Sequence, residues 1–123
     1  MEYKINYETL YKRVSEHINN QYDTYFKKQN EKYTIENKVR VEVYGNLQAA
    51  MIGFERQTEN FEERYNLLKN HIDKKFEDCK NANYERYSIE NSTRFSEYFH
   101  MIAILVGHEN NARNEAIDAA YMN

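Results

Sequence analysis

A formal charge of −3 on 123 residues describes about one domain's length of polar, helix-permissive chain. Sixteen Asn, sixteen Glu, twelve Tyr and ten Lys dominate, against five Leu, no Pro and no Trp. That balance excludes a coat for duplex DNA, which needs massed Lys and Arg to displace phosphate counterions.

The first element in chain order lies in residues 5–28, where Leu10, Val14, Ile18, Tyr22, Tyr25 and Phe26 recur at helical spacing. The opening residues Met1–Lys4 form no charged-then-apolar signal segment. A second element starts at Thr34, a good N-cap, with Glu36 in the first turn and an Arg40 four residues on for an ion pair. Asn37 has no place in that scheme, because Asn is a poor interior helix residue. Residues 38–45 also alternate apolar and polar, the period of a half-buried strand. Their counterpart at 93–99 does not alternate, which favours helix for both.

From Ile35 to Cys79 the apolar positions step by threes and fours, and the one missed step falls at Thr58. The stripe fits one helix over 34–82, about 70 Å long at 1.5 Å per residue, or two helices broken near Gly53. One long helix would leave an apolar stripe for a partner, most simply a second copy of the chain. The last element opens at Ser88 with Glu90 and Arg94 and runs into the apolar stretch Met101–Gly107. That stretch is far short of the roughly 20 residues of a membrane span.

Sliding the chain on itself by 54 positions aligns residues 33–55 with 87–109 and 5–28 with 59–82. Sixteen of sixty-nine pairs are identical, among them Tyr11/Tyr65, His17/His71, Asn37/Asn91, Arg40/Arg94, Tyr44/Tyr98 and Gly53/Gly107. Helical periodicity accounts for matched apolar positions but not for matched Asn, Arg and Gly. The expected fold is therefore all-α, a single domain over 1–123. It is a helical bundle or helix-hairpin array of three to five helices, built on an internal 54-residue duplication. Gly53 and Gly107, inside apolar helical pattern, suggest a close helix crossing or a kink.

No chemistry stands out. Cys79 is the only cysteine, so no internal disulfide forms, and its neighbours Glu77 and Asp78 raise a thiol pKa; a reducing, cytoplasmic setting and an inert thiol follow. Glu97 and His100 form one E-x-x-H, but a carboxylate-bridged di-metal bundle uses two, and the offset positions hold Val43 and Asn46. His17 and His71 sit beside Ile18 and Ile72 and read as structural. No nucleophile elbow, activated cysteine or phosphate loop is present. The sequence thus argues for a non-enzyme with no cofactor and no metal.

Two groups of polar residues remain as candidate ligand contacts. One is the pair of clusters Asn37, Arg40, Tyr44 and Asn91, Arg94, Tyr98. The other is the donor-rich patch of His108, Asn110, Arg113 and Asn114, where Tyr98 or Tyr121 could stack on a base. The leading expectation is a small, self-associating helical protein that docks a protein partner as an adaptor or inhibitor; the AT-rich-genome composition allows a phage or mobile-element origin. The alternative is a binder of a small anionic or nucleotide-like ligand in the Arg/Tyr/Asn pockets. A carboxylate–histidine metal enzyme at Glu97 and His100 comes third. Neither duplex DNA nor membrane is expected as a partner.

Overall fold

Four helices and three tight connections make up the computed structural model, which describes residues 2–122. They are α1 (Tyr7–Glu31), α2 (Ile35–Gln57), α3 (Phe61–Glu85) and α4 (Ile89–Met122), with no strand among the described residues. The chain is an all-α bundle. Residues 38–45, which alternate like a strand, lie within α2.

Each helix begins at a residue whose side chain accepts a bond from an otherwise orphaned backbone N–H. Asn6 caps α1 through the Thr9 N–H at 3.1 Å, and Asn60 caps α3 through the Glu63 N–H at 3.0 Å. Thr34 and Ser88 cap α2 and α4 through the Asn37 and Asn91 N–H groups, both at 3.0 Å. The α1 and α3 helices start 54 positions apart, as do α2 and α4, and α1 and α3 also end 54 positions apart.

The apolar stripe from Ile35 to Cys79 is two helices rather than one. The break falls at Thr58–Asn60, beyond Gly53, where the stripe misses its step. The Thr58 hydroxyl donates to Glu63 at 2.7 Å and accepts from the Asn60 N–H, while the Arg64 Nε donates to the Thr58 carbonyl at 2.7 Å. At the same offset α4 has Ala112, a strong helix former, and continues for another ten residues.

Folding back lets the chain cover its own stripe. Leu10, Val14 and Ile18 of α1 pack with Val39, Tyr44 and Leu47 of α2, Leu68 and Ile72 of α3, and Tyr98 and Met101 of α4, all essentially sealed from water. Burial of each such aliphatic side chain contributes about 1.5–3 kcal/mol. Most of the stripe that suggested a second copy is thus covered within one chain, with Ile35 at its start left exposed. The starts of α1 and α3 touch through Tyr7–Tyr65 and Tyr11–Phe61, so these helices run parallel and the connections at 32–34 and 86–88 share one end. The α1–α2 and α3–α4 hairpins meet chiefly through α2 and α4.

Neither expected crossing glycine is at a crossing. A Cβ added at Gly53 or Gly107 would meet nothing within 4 Å, and both helices continue through these positions. The close approach belongs to Gly45, where a Cβ would sit 3.3 Å from the Tyr22 ring.

Candidate functional site

The polar clusters at 37–44 and 91–98 are built alike. In each, the Asn side-chain N–H donates back to the C-cap residue of the preceding helix: Asn37 to the Lys32 carbonyl at 3.3 Å, Asn91 to the Arg86 carbonyl at 2.9 Å. The Asn oxygen then accepts from the Arg three residues on, Arg40 at 3.4 Å and Arg94 at 3.3 Å. Asn37 and Asn91 therefore stitch a helix end to the next helix start, and each positions a guanidinium. One turn further, Tyr44 and Tyr98 are buried side chains.

Beyond this shared frame the clusters diverge. In the first, Glu97 reaches over from α4. Its carboxylate accepts from the Arg40 Nε at 2.9 Å and from the Tyr44 hydroxyl at 2.6 Å, and Glu97 is only 8% exposed. The Tyr25 ring stacks on Tyr44 with centroids 6.0 Å apart and planes 10° from parallel, and the Arg40 guanidinium lies 5.2 Å from the Tyr25 centroid. The Lys28 ammonium sits 5.1 Å from the same ring. Burial first, then the hydrogen bond to Glu97, drives the Tyr44 hydroxyl pKa far above its ordinary value.

The second cluster lacks each of those fillers. At the position 54 from Glu97 stands Val43; at those from Tyr25 and Lys28 stand Cys79 and Ala82. A carboxylate, a phenol ring and a butylammonium chain are replaced by an isopropyl, a thiol and a methyl. The result is a cleft of about 360 Å³ lined by Glu42, Val43, Asn46, Lys75, Asp78, Cys79, Ala82, Asn91, Arg94 and Tyr98. Among the described residues no carboxylate meets the Tyr98 hydroxyl as Glu97 meets Tyr44. The nearest acid to Arg94 is Glu42, half-exposed and 3.9 Å away. Burial pushes the Tyr98 pKa up to about 12, and it also raises the Cys79 thiol against the opposing charge of Arg94. A raised thiol pKa works against the thiolate at Cys79.

The remaining candidates do not join this cleft. Arg113 donates to Asn110 at 3.0 Å, one turn back on its own helix, and Asn110, Arg113 and Asn114 are all exposed on α4. His108 is half-buried and lies near His17 of α1. Tyr121 is exposed beside Tyr3. These residues form a solvated helix surface, not a pocket around Tyr98. Glu97 faces Arg40, whereas His100 is exposed with its ring 5.9 Å from that of His17, so the E-x-x-H does not converge. Among the described residues no group of three or more His, Cys, Asp or Glu side chains is gathered as a metal requires. His17 and His71 are not satisfied by hydrogen bonds: the Nε2 of each is buried without a partner.

Reading the sequence alone misses Glu97 as a ligand of Arg40 and misses the cleft itself. The signal for both is in the same 54-residue alignment, at the positions that differ: Tyr25/Cys79, Lys28/Ala82 and Val43/Glu97. No helix among the described residues is long and apolar enough to cross a membrane. The chain matches no protein-family model, and no curated protein or solved structure is significantly similar to it.

Proposed function

We propose that this chain is a small-ligand-binding helical bundle that takes a carboxylate in the cleft of its second cluster. The carrying observation is the internal comparison. The Asn–Arg–Tyr frame holds a carboxylate at Arg40 and Tyr44, and the same frame recurs around Arg94 and Tyr98 with Val43 where Glu97 would be. Arg94 offers a guanidinium already oriented by Asn91, and the buried Tyr98 lines the same cleft, so little ordering is required on binding. The two hairpins descend, in this reading, from one duplicated hairpin whose internal carboxylate was kept on one side only.

The test is a nuclear magnetic resonance titration with acetate and butyrate, following the Arg94 side chain and the Tyr98 ring. Saturable shifts at these residues are expected with a Kd in the millimolar range, about −4 kcal/mol. They should vanish in Val43→Glu, which supplies the carboxylate internally, and weaken at least about tenfold in Arg94→Gln. Shifts that never saturate, or that persist in Val43→Glu, overturn the reading.

A second reading, docking of a protein partner or a second copy, is favoured by one observation. At the end shared by the connections 32–34 and 86–88, Tyr33, Ile35, Tyr84, Tyr87 and Ile89 are all exposed. Such a patch suits a binding surface. Light scattering coupled to size exclusion should then show a mass above one chain that falls in Tyr33→Ser/Tyr87→Ser. A single-chain mass for the wild type at all concentrations rejects self-docking.

A further inference from the structure

We infer that the groove between α1 and α2 at Ser15 and Glu55 binds a primary alkylammonium ion, with its charge on the Glu55 carboxylate and its chain along Ile52. This site is separate from the cleft around Arg94 and does not rest on the carboxylate reading. The two hairpins differ here. In the second, Lys69 reaches from α3 to Glu109 on α4, its ammonium 3.0 Å from the carboxylate. Glu109 is tucked in, its side chain 18% exposed, and it accepts from the Tyr65 hydroxyl. Glu55 and Tyr11 stand 54 positions before Glu109 and Tyr65, but the position 54 before Lys69 holds Ser15. The first hairpin therefore keeps the carboxylate and lacks the butylammonium chain. Glu55 is exposed, and the buried Tyr11 hydroxyl has no hydrogen-bond partner.

The groove, about 290 Å³, is lined by Ser15, Asn19, Gln48, Met51, Ile52 and Glu55. Only Met51 is sealed. Asn19, Ile52 and Glu55 are exposed and Ser15 and Gln48 half-buried, so the space opens to water. An ammonium has three N–H donors to satisfy. The Glu55 carboxylate and the Ser15 hydroxyl accept two. The Gln48 amide, which donates to Asn19 at 2.9 Å, has its oxygen left for the third. Among the described residues no aromatic ring lines the groove, so a quaternary ammonium has no cage. One carboxylate also supplies too few oxygens for Ca²⁺ or Mg²⁺. The nearby cations do not neutralise Glu55. Arg64 donates to the Thr58 and Glu55 carbonyls, Lys12 pairs with Glu8, and the exposed Arg56 forms no ion pair among the described residues. Arg64 still repels a ligand cation, which places the ammonium on the Ser15 side of Glu55, where the exposed Glu16 adds negative charge.

The experiment titrates butylammonium, tetramethylammonium, butan-1-ol and a lysine blocked at both ends into the wild type, Ser15→Lys and Glu55→Gln. Resonances of the Gln48 side-chain amide and the Glu55 backbone report binding, and circular dichroism checks folding. Butylammonium should shift both saturably, with a Kd in the millimolar to tens-of-millimolar range. It should bind at least about threefold tighter than tetramethylammonium or butanol, the ratio that one exposed ion pair supplies. Ser15→Lys, which brings in an ammonium internally as Lys69 does, should abolish saturable binding. Glu55→Gln changes an exposed side chain and spares the core; it should weaken butylammonium about three- to fivefold, and it tests the site should Ser15→Lys fold poorly. Blocked lysine binding within about threefold of butylammonium assigns the ammonium to a protein side chain, and weaker binding assigns it to a free amine. Equal affinities for butylammonium and tetramethylammonium overturn the proposal. Butylammonium binding undiminished in folded Ser15→Lys or in Glu55→Gln overturns it too, as does an absence of saturable shifts in the wild type.

Discussion

Glu97 is held at both carboxylate oxygens, and its worth lies more in specificity than in stability. Taking a carboxylate out of water costs several kcal/mol, which the Arg40 and Tyr44 bonds offset. Arg40 is about one-third exposed, so solvent weakens the attraction further. What the triad does is tie α4 to α2 at one level, since no other residue of α4 places an acid against Arg40. Val43, on the opposite side, imposes no such tie, and Arg94 pairs instead with the half-exposed Glu42 at 3.9 Å and donates to Asn91. The same residue types therefore form a lock between α2 and α4 in one half and line a cleft in the other. Asn37 and Asn91 belong to this scale too. They look misplaced inside a helix, yet their backbone N–H groups answer the caps and their side chains answer the preceding helix.

Helix by helix, the glycines offer the cleanest test. Gly53 and Gly107 lie in continuous helix with open space where a Cβ would go, so each costs helix stability with no packing return. Gly53→Ala and Gly107→Ala should each stabilise by about 0.5–1 kcal/mol, raise the melting temperature by roughly 2–6 °C and combine additively. Gly45→Ala should gain less, because its Cβ would press on the Tyr22 ring at 3.3 Å and that ring stacks on Phe26. Thermal unfolding followed by circular dichroism measures all three; a loss of stability in Gly53→Ala would restore a contact at that helix.

The caps at Thr34 and Ser88, the apolar faces and the missed step at Thr58 were all legible in sequence, because each is a local pattern. The crossing at Gly53 was misread because a glycine's reason for being in a helix depends on what faces it, and nothing does. Glu97 was read with His100, three residues away, when its partners Arg40 and Tyr44 are over fifty positions distant. The cleft was invisible for the same reason: it is made by what Cys79, Ala82 and Val43 lack relative to Tyr25, Lys28 and Glu97, and only the packed hairpins bring those absences together.

At the scale of the whole molecule, buried tyrosines in the core and half-buried histidines beside it make folding depend on pH at both ends. On the acid side, burial holds the pKa of His17 and His71 below the ordinary 6.5, assisted by His100 and His108 for the first and by Lys75 and Lys74 for the second. The unfolded chain therefore binds protons that the folded chain refuses, and stability falls as pH drops through 6.5 towards the folded values. On the alkaline side, burial raises Tyr11 and Tyr98 to about 12 from 10.0, and Tyr44 and Tyr65 are raised as well, with Glu97 and Glu109 as their hydrogen-bond partners. The unfolded chain now releases protons first, so stability falls as pH rises from 10.0 through the folded values. The urea midpoint should be nearly constant between about pH 7 and 9.5 and drop on either side. His17→Leu should flatten the acid limb without a large cost at neutral pH, because the buried Nε2 has no hydrogen bond to lose. The ring resonances of Tyr44 and Tyr98, read one residue at a time because Tyr33, Tyr84, Tyr87 and Tyr121 are exposed, should report ionisation only together with the loss of helix above about pH 10, since the core phenols ionise only when the bundle opens. Ionisation of the Tyr44 or Tyr98 ring in a fully helical protein would show that these two side chains reach water in the folded state, and the sealed core around them would have to be abandoned.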